Sequence, residues 1–377
     1  MRAAERLTFD PDDERLARAA WSRLAEPGDL RVHALLTQVG PGEALRALVS
    51  RDVEWMERFR PRLAELEPAR DLRTLASVGG RLILPSDPEW PTGLDELTAP
   101  PPCLWVRGPL ALDSLAARSV AIVGARASTA YGEHVAGDLA SGAAGRGFVV
   151  VSGLAYGIDG VAHRGALTAG DSVAVVAGGV DRAYPRGHEG LMAVLVREGA
   201  VVSEVPPGSA PTRSRFLQRN RLIAAMTRGT VVVEAAMRSG ALSTARCAAA
   251  LGRPVGAVPG PITSVSSAGC HELVREGRAV LVTDAAELAD LVGSLGADAA
   301  TPAPGASSPY DELDEVALRV ADALPVRSGR PLDRLCVASG LDPATVQSAL
   351  GRLALLGLAE RHAHGWRRVR SAAPSRA

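Results

Sequence analysis

Arginines are crowded into one short segment of a chain whose formal net charge is zero. The segment RSRFLQRNRL, residues 213–222, carries four arginines around Phe216 and Asn220. All 42 basic residues of the chain are arginines, which excludes a Schiff-base lysine and a Walker A lysine. Codon bias in a GC-rich genome explains the global use of arginine but not its local clustering. Because the planar guanidinium suits phosphate recognition, the segment predicts binding of a polyanion.

The spacing of these arginines predicts that they do not all face one ligand. On a helix Arg215 and Arg219 share a face, and Arg221 is turned away from it. At least one arginine is therefore expected to pair with a carboxylate such as Glu234. An exposed Phe216 beside guanidiniums would suit base stacking along a single strand, whereas a Phe216 buried in an aliphatic core would carry no such function.

Short apolar runs that predict strands follow one another from about residue 115 to residue 293. Runs such as SVAIVG, GFVVVSG and GTVVVEA are rich in Val and are separated by helix-like segments. Continuous apolar strands that alternate with helices indicate a parallel sheet covered on both faces. The predicted fold class is α/β: an extended Rossmann-like, doubly wound, mostly parallel sheet with a helical N-terminal domain and a small winged-helix C-terminal domain.

Composition divides the chain into four predicted parts. The segment LRVHALLTQVGPGEALRALVS predicts a helix, a glycine-rich hairpin and a second helix. A stretch rich in Ala, Pro, Gly and Ser predicts a flexible linker. The last part predicts a winged helix, and because its second helix carries only Arg352 as a charge, we favour a protein-contact or structural role for it. The predicted boundaries are 1–75 for a helical, helix-hairpin-helix-like or SAM-like domain, 76–293 for the Rossmann-like domain, 294–312 for the linker and 313–370 for the winged helix.

The loops that follow the strands are where a ligand is expected, because open parallel sheets bind ligands outside the carboxyl ends of their strands. After the first strand, GARASTAYG leads into a helix with Gly124, Arg126 and Ser128. Such a glycine-rich turn offers backbone amides to a phosphate. After the second strand, Ser152 and Gly153 stand where a nicotinamide-binding fold carries an acidic residue. NAD is therefore disfavoured, and an anion is favoured.

Later loops extend the same predicted edge of the sheet. Each of their arginines, taken alone, is by default a solvated surface charge. Only their common position at one edge indicates a site. These loops contain Arg182, Tyr184, Arg186, Glu234, Arg238, Ser239, Gly240 and Thr244.

Asp159 and His163 are four residues apart and share one face of a predicted helix. A metal site would need at least one more ligand, and the sequence offers no second histidine at ligand spacing. We expect Asp159 to cap the start of the helix with His163 as its partner, both in supporting roles. No metal and no cofactor is expected.

The cysteines, the N-terminal segment and the overall charge bear on where the protein is located and on how much of its surface could bind nucleic acid. The four cysteines stand far apart, without metal-ligand spacing or a disulfide framework, which is typical of a reduced cytoplasmic interior. The N-terminal segment is charged and lacks the apolar core of a signal peptide, and no run is long enough to span a bilayer. The sequence pI of about 7.1 argues against a surface that binds nucleic acid everywhere but leaves room for a local cleft.

Taken in order, the motifs resemble the bacterial DNA-processing protein A family, DprA or Smf. The resemblance covers roughly residues 80–290. It is carried by AIVGARASTAYG, VVSGLAYGIDGVAHRGAL, AGGVDRAYPRGHEGL, SEVPPGSAPTRSRFLQRNRLIAAMT and VVVEAAMRSGALSTARCAAALG. It implies a protein that binds single-stranded DNA without sequence preference, forms a homodimer and delivers the strand to the RecA recombinase during DNA uptake or recombination. It implies no enzymatic reaction.

The resemblance also assigns positions, of which two depart from the family pattern. Leu217 replaces a proline, and His271 replaces an asparagine. Arg126 matches an arginine of the family's G-S-R signature, and Arg186 matches a basic position after Tyr-Pro. The predicted contacts to DNA or phosphate are Gly124, Arg126, Ser128, Ser152, Gly153, Arg186, Phe216, Arg219, Asn220, Arg221, Ser239 and Gly240, with Asp159, His163, Glu234 and Thr244 in support.

Two other functions stay open at this level. The first is an enzyme like the nucleoside-monophosphate phosphoribohydrolases, which share a Rossmann-like fold and use a P-G-G-x-G-T motif with a nearby acid. Here RSGALSTA, with Glu234 upstream, lacks the required glycines. The second is a regulator that senses a small nucleotide in the cleft, because one such fold hosts many functions.

Overall fold

The computed structural model describes residues 7–50, 54–294, 296–300, 309–311 and 313–369. The chain divides into two compact units, Met1–Thr301 and Pro302–Ala377. The four predicted domain boundaries stay predictions. Within the predicted linker, residues 295, 301–308 and 312 lie outside the described residues.

A nine-stranded sheet forms the centre of the first unit. Its spatial order is β1-β2-β6-β5-β4-β3-β7-β8-β9, and all pairings among β3 to β9 are parallel. The chain therefore winds outward from β3 in both directions, which confirms the predicted doubly wound fold. The strands are β1 (Gly80–Ile83), β2 (Leu104–Arg107), β3 (Ser119–Val123), β4 (Val149–Ser152), β5 (Ser172–Val175), β6 (Ala200–Ser203), β7 (Thr230–Val232), β8 (Val255–Ala257) and β9 (Val280–Leu281).

An antiparallel hairpin, β1 and β2, extends the sheet beyond β6 and was not predicted. It is hard to recognise from the sequence because prolines lie between its strands and each strand has only four residues. Arg81 holds the hairpin in place, because its guanidinium pairs with Glu89 and donates to the carbonyls of Gly108 and Leu110. Trp105 of β2 is fully buried.

Helices cover both faces of the sheet. They are α1 (Glu14–Leu24), α2 (Leu30–Val39), α3 (Pro41–Ser50), α4 (Arg60–Leu63), α5 (Pro68–Ser77), α6 (Ala130–Gly145), α7 (Ile158–Ala166), α8 (Glu189–Glu198), α9 (Arg213–Ala225), α10 (Ala241–Ala250), α11 (Ala268–Arg275) and α12 (Ala285–Val292). Short 3₁₀ helices occupy Glu54–Phe59, Thr92–Glu96, Leu112–Ala116, Arg186–His188 and Val265–Ser267. Side chains on one face of the sheet pack on α6, α7 and α12, or on α1, α5 and α8 next to β1, β2, β5 and β6, and side chains on the other face pack on α9, α10 and α11.

The N-terminal helices confirm the predicted helical region and contact the rest of the first unit. A turn at Gly40, with a φ of +80°, joins α2 to α3. The indole of Trp105 donates to the hydroxyl of Ser22 in α1 at 3.2 Å. Arg23, also in α1, pairs with Asp71 of α5 and donates to the carbonyl of Pro207. These contacts join α1 to the sheet and to the loop before α9.

The second unit is a winged helix, as predicted. It contains α13 (Glu315–Ala323), α14 (Leu332–Ser339), α15 (Pro343–Leu355) and a hairpin of β10 (Ala359–His362) and β11 (Gly365–Arg368). Gly340 ends α14 in the left-handed region, and Asp342 caps α15. Arg352, the only charge predicted on α15, pairs with Asp314. None of the helices that the structure describes is long and apolar enough to cross a membrane.

Candidate nucleic-acid interface

A cleft of about 1170 Å³ opens at the carboxyl ends of β3 and β7, on either side of the point where the sheet reverses its winding. The loop after β3, the loop after β7 and the first turns of α9 and α10 form its walls. Ligands of doubly wound folds bind at this position because the loops diverge there. The cleft gathers these predicted site residues: Gly124, Arg126, Phe216, Arg219, Asn220, Ser239 and Gly240, with Asp159 and Thr244.

Arg126 and Phe216 meet across the cleft although they are far apart in the sequence. The guanidinium carbon of Arg126 lies 4.6 Å from the centroid of the Phe216 ring. Phe216 also contacts Tyr184, with ring centroids 5.6 Å apart and planes inclined by 50°. Phe216 is half-buried and does not belong to the fully buried aliphatic core. The ring therefore positions Arg126 by a cation–π contact, and Tyr184 is the more exposed aromatic of the pair.

Four arginines line the cleft without a carboxylate partner anywhere in the part of the chain that the structure describes. They are Arg126, Arg213, Arg238 and Arg246. Arg186 is likewise exposed and unpaired among the described residues, but it lies in the loop after β5 outside the lining of the cleft. Asp159 is the only carboxylate among the described lining residues. The cleft is therefore electropositive in a chain of zero net charge.

Arg219 is a brace inside the protein and not a free contact. Its guanidinium is buried and donates to the carbonyls of Gly153, at 2.6 Å, and of Val175. Burial lowers the pKa of Arg219 to about 10, which still leaves it protonated at neutral pH, and nearby Asp159 opposes that shift. A Cβ at Gly153 would lie 2.4 Å from this guanidinium, so the turn after β4 requires glycine. The neighbouring Asn220 donates to the carbonyl of Gly240 and so joins α9 to the start of α10.

Arg221 was expected near the site, and the structure places it elsewhere. Both carboxylate oxygens of Glu204 lie 2.6 Å from its Nη2, and its Nη1 donates to the carbonyl of Ala99. The prediction that at least one arginine pairs with a carboxylate is therefore confirmed, but the partner is Glu204 and not Glu234, which was named as an example. Glu234 accepts instead from the amide and the hydroxyl of Thr129, at 3.0 and 2.7 Å, and thereby fixes the loop that carries Arg126.

Asp159 and His163 do not form the predicted cap. Gly157 is the N-cap residue of α7, and Asp159 accepts from the amide of Ala155 at 3.4 Å. Burial raises the pKa of Asp159, and the charge of Arg219 opposes this.

His163 faces another partner, the hydroxyl of Ser172, at 2.8 Å from Nδ1. That hydroxyl donates to the carbonyl of Val150, so Nδ1 of His163 carries the proton and donates to it. Burial is the main cause that lowers the pKa of His163 to about 3. The ring is therefore a neutral part of the core beneath the site.

Two of the predicted hydroxyl contacts, those of Ser128 and Ser152, already donate within the protein, whereas the Ser239 hydroxyl only accepts and keeps its donor available. Ser152 is buried and donates to the carbonyl of Ile122, and Ser128 donates to Glu133. Ser239 accepts from the amide of Ala241 at the start of α10. Of the two departures noted in the sequence, Leu217 is exposed on the cleft. His271 contacts the carbonyl of Gly260 away from the cleft.

Sequence reasoning named several cleft residues without giving them a role. Tyr184, Arg213 and Arg238 belong to segments that were quoted, while Arg246 and Thr129 were not considered as site residues. The available signal was position, because all five follow the carboxyl ends of strands or lie in the first turns of the next helix.

Two family models match the chain. The model described as DNA recombination-mediator protein A matches residues 81–293, and the DprA winged helix domain model matches residues 301–365. The chain is 48% identical over 372 residues to the putative DNA processing protein DprA of Mycobacterium tuberculosis H37Rv, covering 94% of this chain and 95% of that protein.

Solved structures of two related proteins are among those similar to this fold. The X-ray structure of DprA from Streptococcus pneumoniae is 32% identical with a TM-score of 0.62, and the match covers 76% of this chain and 99% of that one. A structure of DNA processing protein A from Helicobacter pylori, described as giving insight into its unique single-stranded DNA binding mode, is 28% identical with a TM-score of 0.51 and covers 55% and 93%. With the sheet, the cleft and the winged helix in place, the chain belongs to the DNA recombination-mediator protein A family, DprA or Smf.

Proposed function

We propose that this chain binds single-stranded DNA, without sequence preference, along the cleft at the carboxyl edge of its sheet. The observation that carries the proposal is the set of cleft-lining arginines, Arg126, Arg213, Arg238 and Arg246, which have no carboxylate partner among the described residues. Unpaired guanidiniums at one edge of a neutral protein form a track for phosphates. The binding mode described for the Helicobacter pylori relative supports the same ligand.

The arrangement explains how a strand would be held without any bond being made or broken. Arg126 is fixed twice, by the ring of Phe216 and by a loop that Glu234 anchors through Thr129. A preorganised cation loses little freedom when it binds a phosphate. Most of the affinity would come from counterions released as arginines replace them. Arg186, exposed beyond the cleft, would extend the phosphate path.

The experiment is a titration of a fluorescent homothymidine strand and its duplex by anisotropy, at several salt concentrations, with wild type and Arg126→Ala. Wild type should prefer the single strand. The variant should bind more weakly, with a log–log salt slope smaller by about 0.7 for the lost phosphate contact. Arg197→Ala is the matched control, because Arg197 is an exposed arginine outside the cleft that pairs with Glu198. If neither DNA form binds wild type at low salt, the proposal fails.

Delivery of the strand to RecA and assembly into a homodimer, which the family resemblance implies, complete the proposal together with the cytoplasmic location that the cysteine usage favours. For the homodimer, the loop after β8 offers apolar surface, because Ile262 and Val265 are 92% and 76% exposed. A charge at Ile262 should leave a monomer in light scattering. Delivery is tested by the rate at which RecA covers a strand that is already coated with single-strand binding protein.

An enzymatic role is the alternative that the structure supports less well. A phosphoribohydrolase needs an available acid, and the described cleft offers only Asp159, which lies beside buried Arg219. Both oxygens of Glu234 already accept hydrogen bonds from Thr129. Release of free base from nucleoside monophosphates by purified protein, abolished in Asp159→Asn, would make the enzyme the better account.

A further inference from the structure

Tyrosines are concentrated at the edge of the sheet where the proposed strand lies. The chain has four tyrosines, and three of them, Tyr131, Tyr156 and Tyr184, lie in loops or first turns at the carboxyl ends of the strands. Their exposed fractions are 43%, 50% and 52%. In a chain that is only 3% aromatic, three half-exposed rings at one edge of the sheet are a local concentration of stacking surface.

Tyr156 and Tyr184 differ from Tyr131 in the hydrogen bonding of their hydroxyl groups. The hydroxyl of Tyr131 donates to the carbonyl of Pro259 at 2.6 Å, which gives it a structural role. Within the described ranges, the hydroxyls of Tyr156 and Tyr184 have no hydrogen-bond partner. Their rings are nevertheless fixed. Tyr156 stands edge-on to His188 with centroids 4.9 Å apart, and Tyr184 rests on Phe216.

Arg186 lies in a short loop that both rings adjoin. Tyr184 precedes it by two residues, and the hydroxyl of Tyr156 lies so close to Gly187 that a Cβ there would be 2.5 Å from it. Residues 184–187 can span at most roughly 10 Å, and the chain is shortened further by the 3₁₀ helix Arg186–His188, so both rings and the exposed guanidinium lie in the same region of the surface. An unpaired arginine in the same short loop region as two half-exposed aromatic rings is a combination that suits a single strand, since bases stack on rings while a cation holds a phosphate.

We infer that Tyr184 and Tyr156 are base-stacking residues, and that the strand leaves the cleft across the loop 184–188 with a phosphate on Arg186. This inference rests on the proposed function, and it assigns base stacking to Tyr184 and Tyr156 instead of Phe216, the residue considered from the sequence. One face of Phe216 carries Arg126, so Phe216 serves mainly to position that arginine, and Tyr184 presents the accessible ring.

The test compares a labelled homothymidine strand with an abasic strand that has the same number of phosphates. Tyr184→Ala and Tyr156→Ala should each weaken binding of the thymidine strand by roughly 5- to 150-fold. Binding of the abasic strand should change by less than about twofold, because no base is present to stack. The salt slope should not change, because no phosphate contact is lost.

Conservative variants separate stacking from folding. Tyr184→Phe and Tyr156→Phe keep the ring and should bind both strands as wild type does. Tyr131→Phe serves as the control for loss of a structural hydroxyl. Equal losses on both strands in the alanine variants, or no loss on either, would overturn the inference while leaving strand binding by the cleft in place. If wild type binds neither strand, the proposed function itself has failed.

Discussion

Two groups of arginines, one on α9 and one lining the cleft beside it, have opposite roles. Arg215, Arg219 and Arg221, in the segment that is densest in positive charge, are bound by the protein itself through Glu26, two buried carbonyls and Glu204. The cleft arginines, of which only Arg213 belongs to that segment, have no carboxylate partner among the described residues. The segment with the highest density of positive charge therefore has a mainly structural role here. The positive cleft is formed by arginines from separate loops and helices.

The contrast has a physical cause. An arginine that is removed from water costs several kcal/mol unless its donors are satisfied, so the buried members of α9 must be paired. An exposed arginine is solvated by water, needs no partner within the protein and stays available to bind an external anion. The first group should therefore control stability, and the second should control binding.

The largest expected effect is on stability. Arg221→Ala leaves Glu204 buried without its partner and should lower the free energy of unfolding by about 3–5 kcal/mol. Arg238→Ala, a change at an exposed and unpaired cleft residue, should alter it by no more than about 0.5 kcal/mol. Denaturant unfolding followed by circular dichroism measures both. Similar losses in the two variants would erase the distinction between the groups.

A smaller effect is expected where the backbone accommodates Arg219. Gly153→Ala forces a methyl group against the buried guanidinium and should cost about 1–3 kcal/mol of unfolding free energy. Gly190→Ala is the matched control, because nothing lies within 4 Å of a Cβ at that position of α8. If the two changes have equal thermal midpoints, the bracing role of Arg219 is refuted.

The smallest effect is a pH dependence from His163. Its pKa is about 3 in the folded chain against an ordinary value of 6.5, so below pH 6.5 the unfolded chain binds a proton that the folded chain does not. Stability should therefore fall as the pH drops, by about 1 kcal/mol between about pH 7.5 and pH 5.5. His163→Gln should remove that share of the acid dependence in unfolding titrations. An unchanged dependence would show that other groups carry it.

The sequence predicts the parallel sheet well and the pairing of its side chains poorly. Strands β3 to β8 are recognisable because buried parallel strands are continuous runs of small apolar residues, and β9 is recognisable from its apolar run although both of its residues are exposed. The β1–β2 hairpin is not, because short strands flanked by prolines resemble a loop. The helix α9 and the division of its faces are predictable from spacing.

Which arginine stays free cannot be predicted in this way. Glu204 and Glu26 reach α9 from other elements, and Arg126 reaches Phe216 across 90 positions. Such partners depend on tertiary packing, which no local pattern encodes. For the same reason Asp159 and His163, correctly placed on one helix, turn out to have separate partners.

The most direct test of the central claim is the salt dependence of strand binding as the cleft arginines are replaced by alanine one after another. If Arg126, Arg213, Arg238 and Arg246 each contact a phosphate, the log–log slope should fall by about 0.7 with every replacement, while the unfolding free energy stays close to that of wild type. A slope that stays constant through the series would contradict the account, because the phosphates would then be bound elsewhere.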